Sequence, residues 1–206
     1  MVGINKEGNP PIYQKLNKIK QENPDVFLYD YVLYPGSYKA VGAKIKYEEL
    51  ALAQWQVVLD AIVKDQNIRI IHLTRENRLK RYISNYIAAN VTHVNVVFDI
   101  TNRAVVQPIT LSLEACIQDI NATEEAEARF REYFKKHKVF EISYEQVVNK
   151  ESNKLNELQQ FLGVTPAELE VKTRKVIPDN LKDVIVNYAD LQSAFRGTRF
   201  EHYLTM

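Results

Sequence analysis

The sequence predicts an α/β domain with a mostly parallel sheet covered by helices. Short segments rich in apolar and β-branched residues alternate with longer segments whose apolar residues recur at helical spacing. The clearest pair is a strand at residues 68–73 that leads into a charged helical segment at about 77–89. Strands that alternate with helices favour βαβ units, in which helices pack on the faces of a parallel sheet.

The first half of the chain is predicted to contain three strands and three helices. The pair Pro10–Pro11 opens a helix that ends before Pro24, since proline is favoured in a first helical turn. The other predicted elements are strands at 26–34 (or an extended segment there), 40–47 and 68–73 and helices at 48–64 and 77–89. The core face of the second helix is predicted to carry Leu52, Trp55, Leu59 and Ile62.

The second half continues this alternation. Residues 93–111 are rich in β-branched side chains and predict a hairpin that turns at 101–103, followed by a polar helix at about 112–137. The predicted elements that follow are a strand at 139–143, a capping box at 143–146, a helix stop at Gly163, a second capping box at 165–168 and a helix at 179–198. The last helix carries a stripe of Leu181, Ile185, Tyr188 and Leu191. No linker interrupts the pattern, so we expect one domain over residues 1–206.

Composition narrows the functional classes. The chain has 206 residues and a net charge of +1, so it has no overall basic field for nucleic acid or membrane, and an anion site would have to be local. Cys116 is the single cysteine, so an internal disulfide is excluded, which fits a reducing compartment. Its apolar neighbours Ala115 and Ile117 indicate an inert core thiol. No segment has the pattern of a membrane span or a signal peptide. We therefore expect a cytoplasmic protein.

An arginine stands where the strand at 68–73 gives way to a helix. Arg75 lies at this junction, and Ser84 shares a helix face with Lys80 and Arg81. The start of a helix has unpaired N–H groups, and a guanidinium adds donors that suit a phosphate or sulfate. The alternative is a solvated basic helix face on which Arg75 pairs with a carboxylate such as Glu76. On the pattern alone this alternative is favoured, because charged helix faces are common.

The histidines do not indicate a metal site. His72 lies inside the strand at 68–73 among apolar residues, where a core histidine with its hydrogen bonds satisfied is the favoured interpretation. The other three histidines are scattered along the chain, so no metal ligand set is predicted.

Three segments together resemble the sulfotransferase family. The stretch HLTRENRLKRYIS at 72–84 resembles the segment that binds the 3′-phosphate of the sulfuryl donor. The stretch FEISYEQVVNKESNKLNELQQFLGV at 140–164 resembles the family's "YEDL" element, with Gln146 in place of the usual aspartate. The tail around NYADL at 187–191 resembles the family's C-terminal helix. The resemblance covers roughly residues 40–204.

The resemblance implies a three-layer, P-loop NTPase-like fold and a nucleotide donor, 3′-phosphoadenosine 5′-phosphosulfate (PAPS), which leaves as 3′,5′-phosphoadenosine (PAP). It implies that Arg75 and Ser84 hold the 3′-phosphate and that Tyr144 lies near the adenine. Lys172 and Lys175 lie in roughly the place of a basic C-terminal loop that, in the family, folds over the same phosphate; the alternative is an ordinary solvated loop. The resemblance implies no metal.

The family's loop for the 5′-phosphosulfate, which reads like "RSGTS", is not found in the sequence. The segment LYPGSYKAVG at 33–42 is similar to that loop, but a predicted strand follows it, so a simple turn is the favoured interpretation. We expect an N-terminally truncated version of the fold. The predicted strand 40–47 corresponds in order to the family strand that carries groups near the transferred sulfuryl. The resemblance implies that Lys44 neutralises negative charge on the bridging oxygen, and Glu48 or Glu49 is a base by position only. Solvated charges at a strand end are an equally good interpretation.

The predicted function is the transfer of a sulfuryl group from PAPS to an acceptor hydroxyl or amine. The alternative is a catalytically inactive sulfotransferase-like remnant that serves as a nucleotide-binding or interaction module. The expected partners are the nucleotide donor and an acceptor, with no nucleic acid and no membrane. A homodimer is possible, because the polar helix at 112–137 is compatible with either solvent or a partner.

Overall fold

The computed structural model describes residues 9–92, 107–149, 151–169 and 180–205. Its helices are α1 Pro10–Glu22, α2 Pro24–Val26, α3 Tyr47–Leu50, α4 Gln56–Lys64, α5 Arg78–Ile87, α6 Leu113–Phe134, α7 Tyr144–Val148, α8 Ser152–Phe161 and α9 Tyr188–Phe195. Its strands are β1 Ile70–Thr74 and β2 Val139–Ser143, which pair in parallel as a two-stranded sheet. The chain is therefore α/β and mostly helical.

The chain divides into two compact units. The first unit comprises Met1–Leu73, Glu127–Ile142 and Gln146–Pro166. Its core is an aromatic and aliphatic cluster of Phe27, Leu28, Leu50, Val58, Leu59, Ile62, Phe130 and Phe134. In α4 the buried positions recur at helical spacing, which is why this segment forms an amphipathic helix.

The second unit comprises Thr74–Ala126, Ser143–Glu145 and Ala167–Met206. Helix α5 contributes three fully buried side chains at four-residue spacing, Leu79, Ile83 and Ile87. They pack with Ile109, Leu111, Cys116, Ile120, Leu181, Val184, Ile185, Leu191, Phe195 and Tyr203. Ile109 also forms an isolated parallel bridge with Ile185, so the segment before α6 pairs with the segment before α9.

Several predicted elements are confirmed. Helix α1, both strands, α5 and α6 lie where their patterns placed them, within a few residues. Gly163 follows α8 with φ +76°, and the amides of Gly163 and Val164 bond to the carbonyls of Gln160 and Gln159. This is the Schellman arrangement that a glycine at the helix end predicts.

Two predicted strands in the first unit are wrong. The segment at 26–34 is helical, with α2 leading into a π-helical turn at Phe27–Val32. Pro24 starts a helix there, and the helical spacing buries Phe27 and Leu28 while Tyr29 and Tyr31 stay exposed. Residues 40–46 are irregular and mostly exposed, because no neighbouring strand pairs with them in the part of the chain that the structure describes. In both cases the tertiary context overrides a high strand propensity.

Three predicted helices also need correction. The helix at 48–64 is broken into α3, a 3₁₀ turn at Ala53–Trp55 and α4, so Leu52 is extended and exposed instead of buried. Residues 165–169 are irregular, so the second capping box does not start a helix there. The tail forms a 3₁₀ turn at Leu181–Asp183 and then α9, since Ile185 between them is used in the bridge to Ile109. The predicted hairpin turn at 101–103 lies outside the described residues.

Within the described ranges, no helix is long and apolar enough to cross a membrane.

The glycine after α8 provides a test of this fold. We expect Gly163→Ala to lower the free energy of unfolding by about 1–2 kcal/mol, the cost of a left-handed backbone for a residue with Cβ. A Cβ there would also lie 3.3 Å from an Nη atom of Arg69. Gly42→Ala is the matched control, because its added Cβ meets nothing within 4 Å. Chemical denaturation should show little or no loss for the control, and equal stabilities for the two variants would contradict the assignment.

Candidate functional site

The candidate site begins at the carboxyl ends of the two paired strands. Arg75 directly follows β1, and Tyr144 directly follows β2. Because β1 and β2 run in parallel, their carboxyl ends lie at the same edge of the sheet. That edge is where α/β proteins commonly bind ligands.

Arg75 contacts two consecutive residues that follow β2. Its guanidinium carbon lies 4.7 Å from the centre of the Tyr144 ring, a cation–π distance. Its Nε lies 3.6 Å from Oε1 of Glu145, an ion pair that is too long for a hydrogen bond. The other oxygen of Glu145 accepts a 3.0 Å hydrogen bond from the amide of Glu76. The carboxylate that pairs with Arg75 is therefore Glu145, and Glu76 takes part through its backbone.

Arg75 retains unused hydrogen-bonding capacity in this arrangement. Only 21% of its side chain is exposed, and its buried Nε has no hydrogen-bond partner among the described residues. Burial lowers the pKa of the Arg75 guanidinium, whereas Tyr144 and Glu145 act in the opposite direction. An arginine stays protonated under such shifts. A half-buried guanidinium with an unsatisfied donor fits an anionic group such as a phosphate.

Helix α5 starts immediately after Arg75 and is held by a buried cap. Asn77 is 2% exposed, and its side-chain oxygen accepts a 2.8 Å hydrogen bond from the amide of Lys80. Its side-chain nitrogen donates a 2.7 Å bond to the carbonyl of Tyr203, which lies in a 3₁₀ turn at Glu201–Leu204. One amide side chain thus fixes both the start of α5 and the end of the described chain.

The basic residues of α5 are largely compensated by carboxylates. Arg81 donates a 2.8 Å hydrogen bond to Asp119, and Nε of Arg78 lies 3.8 Å from Glu124. Ser84 is half-buried on the same helix, nine residues after Arg75. The contacts of the described residues do not join the side chain of Ser84 to Arg75. The structure therefore brings Arg75 and Tyr144 together, and it places Ser84 farther along the helix.

The other predicted site residues lie elsewhere. Lys44 and Glu48 belong to the first unit and are exposed. The strand that was to align them is irregular, so the argument from alternate positions does not hold for Lys44. Lys44 does line a cavity of about 160 Å³ whose walls are mainly apolar, including Phe27 and Trp55. Lys172 and Lys175 lie outside the described residues.

The loop-like segment at 33–42 forms a simple turn. The amide of Tyr38 bonds to the carbonyl of Pro35, with Gly36 at φ +52° between them. Residues 39–46 continue as irregular chain, so no helix begins directly after the turn. The predicted turn is confirmed, although the strand expected after it is wrong.

Cys116 and His72 carry potentially reactive side chains, and both are buried. Cys116 is fully buried, and burial raises the pKa of its thiol to about 11, which fits an inert core cysteine. His72 is 8% exposed and contacts Glu141 and Tyr47, so its interpretation as a satisfied histidine is confirmed. The sequence did not reveal these partners, or the pairing of Glu145 with Arg75, because each joins residues far apart in the chain.

The described side chains include no group of three or more His, Cys, Asp or Glu residues that could hold a metal ion.

Comparison with known proteins gives one match. A family model described as "Sulfotransferase domain" matches residues 53–202, which include both strand ends, α5 and the C-terminal helix α9. Neither the comparison with curated proteins nor that with solved structures returned a match.

The buried cap of α5 can be tested by mutation. We expect Asn77→Ala to lower the free energy of unfolding by about 1–3 kcal/mol, since it removes a helix cap and leaves the carbonyl of Tyr203 without this donor. Asn85→Ala, at an exposed position of the same helix, is the control and should change stability by no more than about 0.5 kcal/mol. Denaturant titration measures both, and a neutral Asn77→Ala would show that the cap is dispensable.

Proposed function

Because the chain belongs to the sulfotransferase family, we propose that it transfers a sulfuryl group from PAPS to an acceptor hydroxyl or amine. Membership rests on the match over residues 53–202 and supports a sulfotransferase-type activity in general. The donor is proposed because the family generally uses PAPS. With it we propose the family's three-layer, P-loop-like architecture and a single functional domain.

The observation that carries the proposal is the pairing of Arg75 with Tyr144 at the ends of adjacent parallel strands. In our proposal the Arg75 guanidinium binds the 3′-phosphate of the donor, while Tyr144 lies beside the adenine. The 4.7 Å contact supports this, because a phosphate and a base that belong to one nucleotide need neighbouring partners. The half-buried guanidinium supports it as well, since an anion would offset the charge that the long ion pair with Glu145 compensates only in part.

The ion pair with Glu145 is compatible with this role. A guanidinium has five N–H donors, so a carboxylate at the Nε side leaves other donors for a phosphate. Glu145 is itself fixed by the amide of Glu76, which restricts where the Arg75 head group can lie. We propose that Ser84 adds a hydroxyl to the same phosphate, and that Lys172 and Lys175 supply further positive charge.

The transfer itself needs positioning and charge neutralisation more than covalent chemistry, as in phosphoryl transfer. When bound, the donor supplies an activated sulfuryl group that an acceptor oxygen or nitrogen attacks. We propose that Lys44 stabilises the negative charge that develops on the leaving oxygen and that Glu48 accepts the acceptor's proton.

Calorimetric titration with PAP tests the donor half of the proposal. We expect the wild type to bind PAP and Arg75→Ala to bind it more weakly by roughly 1.5–3 kcal/mol, a loss of about tenfold or more, because a charged contact is removed. Arg75→Lys should fall between them, since lysine cannot bind a phosphate in bidentate fashion. Arg129→Ala removes an exposed arginine from the first unit and should leave affinity unchanged.

Adenosine 5′-phosphate serves as the matched ligand, because it lacks only the 3′-phosphate. The preference for PAP over adenosine 5′-phosphate should shrink in Arg75→Ala and stay intact in Arg129→Ala. An unchanged preference would remove Arg75 from the 3′-phosphate site. Absence of PAP binding by the wild type would contradict the proposed donor.

A further inference from the structure

A chain of four polar side chains crosses the first unit, and none of the four has a proposed role in sulfuryl transfer. Nδ1 of His72 lies 2.7 Å from Oε2 of Glu141, and Nε2 of His72 forms a hydrogen bond with the hydroxyl of Tyr47. The second oxygen of Glu141 accepts a 3.2 Å hydrogen bond from Nε of Arg131. The order is therefore Tyr47, His72, Glu141, Arg131, and all four belong to one compact unit.

The direction of the hydrogen bonds follows from the charge on Glu141. Burial raises the pKa of this carboxyl, but hydrogen bonds from His72 and Arg131 outweigh burial and bring the pKa below its ordinary value of 4.5. At neutral pH Glu141 is thus a carboxylate, which can only accept hydrogen bonds. A neutral His72 must then carry its single proton on Nδ1. Its Nε2 lone pair then faces the hydroxyl of Tyr47 and can accept the proton of that hydroxyl.

Regular structure and aromatic packing hold these groups in place. His72 and Glu141 lie on the paired strands β1 and β2, and Tyr47 opens helix α3. The Tyr47 ring stacks on buried Phe130 with ring centres 5.2 Å apart and meets the His72 ring nearly edge-on at 5.8 Å. His72 is buried, whereas Tyr47 is half-buried, so Tyr47 is the more accessible of the two.

We propose that Tyr47 is an activated nucleophile, that His72 is its general base, and that Glu141 orients His72. A hydroxyl within hydrogen-bond reach of a base, with a third group that fixes the base, is the arrangement required of an activated oxygen nucleophile. In the catalytic triad of serine hydrolases a carboxylate likewise orients the histidine. Tyr47 and His72 do the chemistry, and Glu141 is a positioning residue.

An activated phenol oxygen attacks sulfur(VI) centres that carry a good leaving group, such as an aryl sulfate ester or a sulfonyl halide, and this is the class of electrophile that we assign to Tyr47. The Oη–sulfur bond of Tyr47 forms as the bond from sulfur to the leaving group breaks, and the leaving group departs with the electron pair. The phenolic proton passes to Nε2 of His72, and Glu141 stabilises the resulting imidazolium. Neither PAPS nor Arg75 takes part in this step. A test of Tyr47 is therefore independent of the proposed sulfotransferase function.

Labelling with phenylmethanesulfonyl fluoride at neutral pH tests the site in the full chain. Peptide mass spectrometry measures the rate of adduct formation at each tyrosine. Tyr34 and Tyr38 are internal references, since they are 65% and 74% exposed and would react first if exposure alone governed the rate. We expect Tyr47 to react at least about tenfold faster than either, because a positioned general base contributes about 10² or more.

Variants separate activation from packing. His72→Gln should slow labelling at Tyr47 by about 10²-fold, and Glu141→Gln by at least about tenfold, with Tyr34 and Tyr38 unchanged in both. Glu141 is half exposed, so its variant should fold even if His72→Gln does not. Glu132→Gln removes an exposed carboxylate of α6 and is the matched control, with wild-type labelling expected. The proposal is overturned if Tyr47 reacts no faster than the reference tyrosines, or if Glu141→Gln leaves its rate unchanged.

Discussion

The parallel pairing of β1 with β2 is the constraint on which both polar sites depend. A parallel pair places both carboxyl ends at one edge, and this brings the residue after β1 next to the residues after β2. Arg75 therefore meets Tyr144 and Glu145, although about 70 residues separate them in sequence. Within the strands the same pairing sets His72 beside Glu141. A one-residue slip of the register would turn each side chain to the opposite face and dissolve these contacts.

The positive charge of Arg75 is only partly compensated by its surroundings. Most of its side chain is removed from water, which is unfavourable for a cation, and a single carboxylate and an aromatic face offset part of that cost. The ion pair is long and leaves Nε unsatisfied, so the compensation is incomplete. The guanidinium of Arg78 lies 3.8 Å from Glu124 but also donates a hydrogen bond to the hydroxyl of Tyr203, and that of Arg81 donates one to Asp119. Of these three arginines, Arg75 is therefore the one best suited to bind an added anion.

The prediction succeeded where local pattern and final packing agree. Helix α5 has a polar cap at Asn77 and buried residues at every fourth position, and Gly163 has no Cβ to oppose a left-handed turn. The prediction failed where the spacing of apolar and aromatic residues did not distinguish a strand from a helix. The segment containing Phe27 and Leu28 reads as a strand from its composition, yet it closes into a helical turn because that conformation buries both side chains in the first unit. The strand predicted around Lys44 is absent for a related reason, because this segment has no strand to pair with among the described residues.

The sequence by itself determined the family, the alternation of strands and helices, the position of Arg75 at a strand end and the inert character of Cys116. Each depends on residues that are close in the chain or on a motif that can be read along it. Only the tertiary structure decided that Glu145 pairs with Arg75, that Asn77 binds the carbonyl of Tyr203, and that Tyr47, His72 and Glu141 form one hydrogen-bonded set. These contacts join residues 25 to 126 positions apart. Strand register and core packing bring such residues together, and neither is encoded in any short segment.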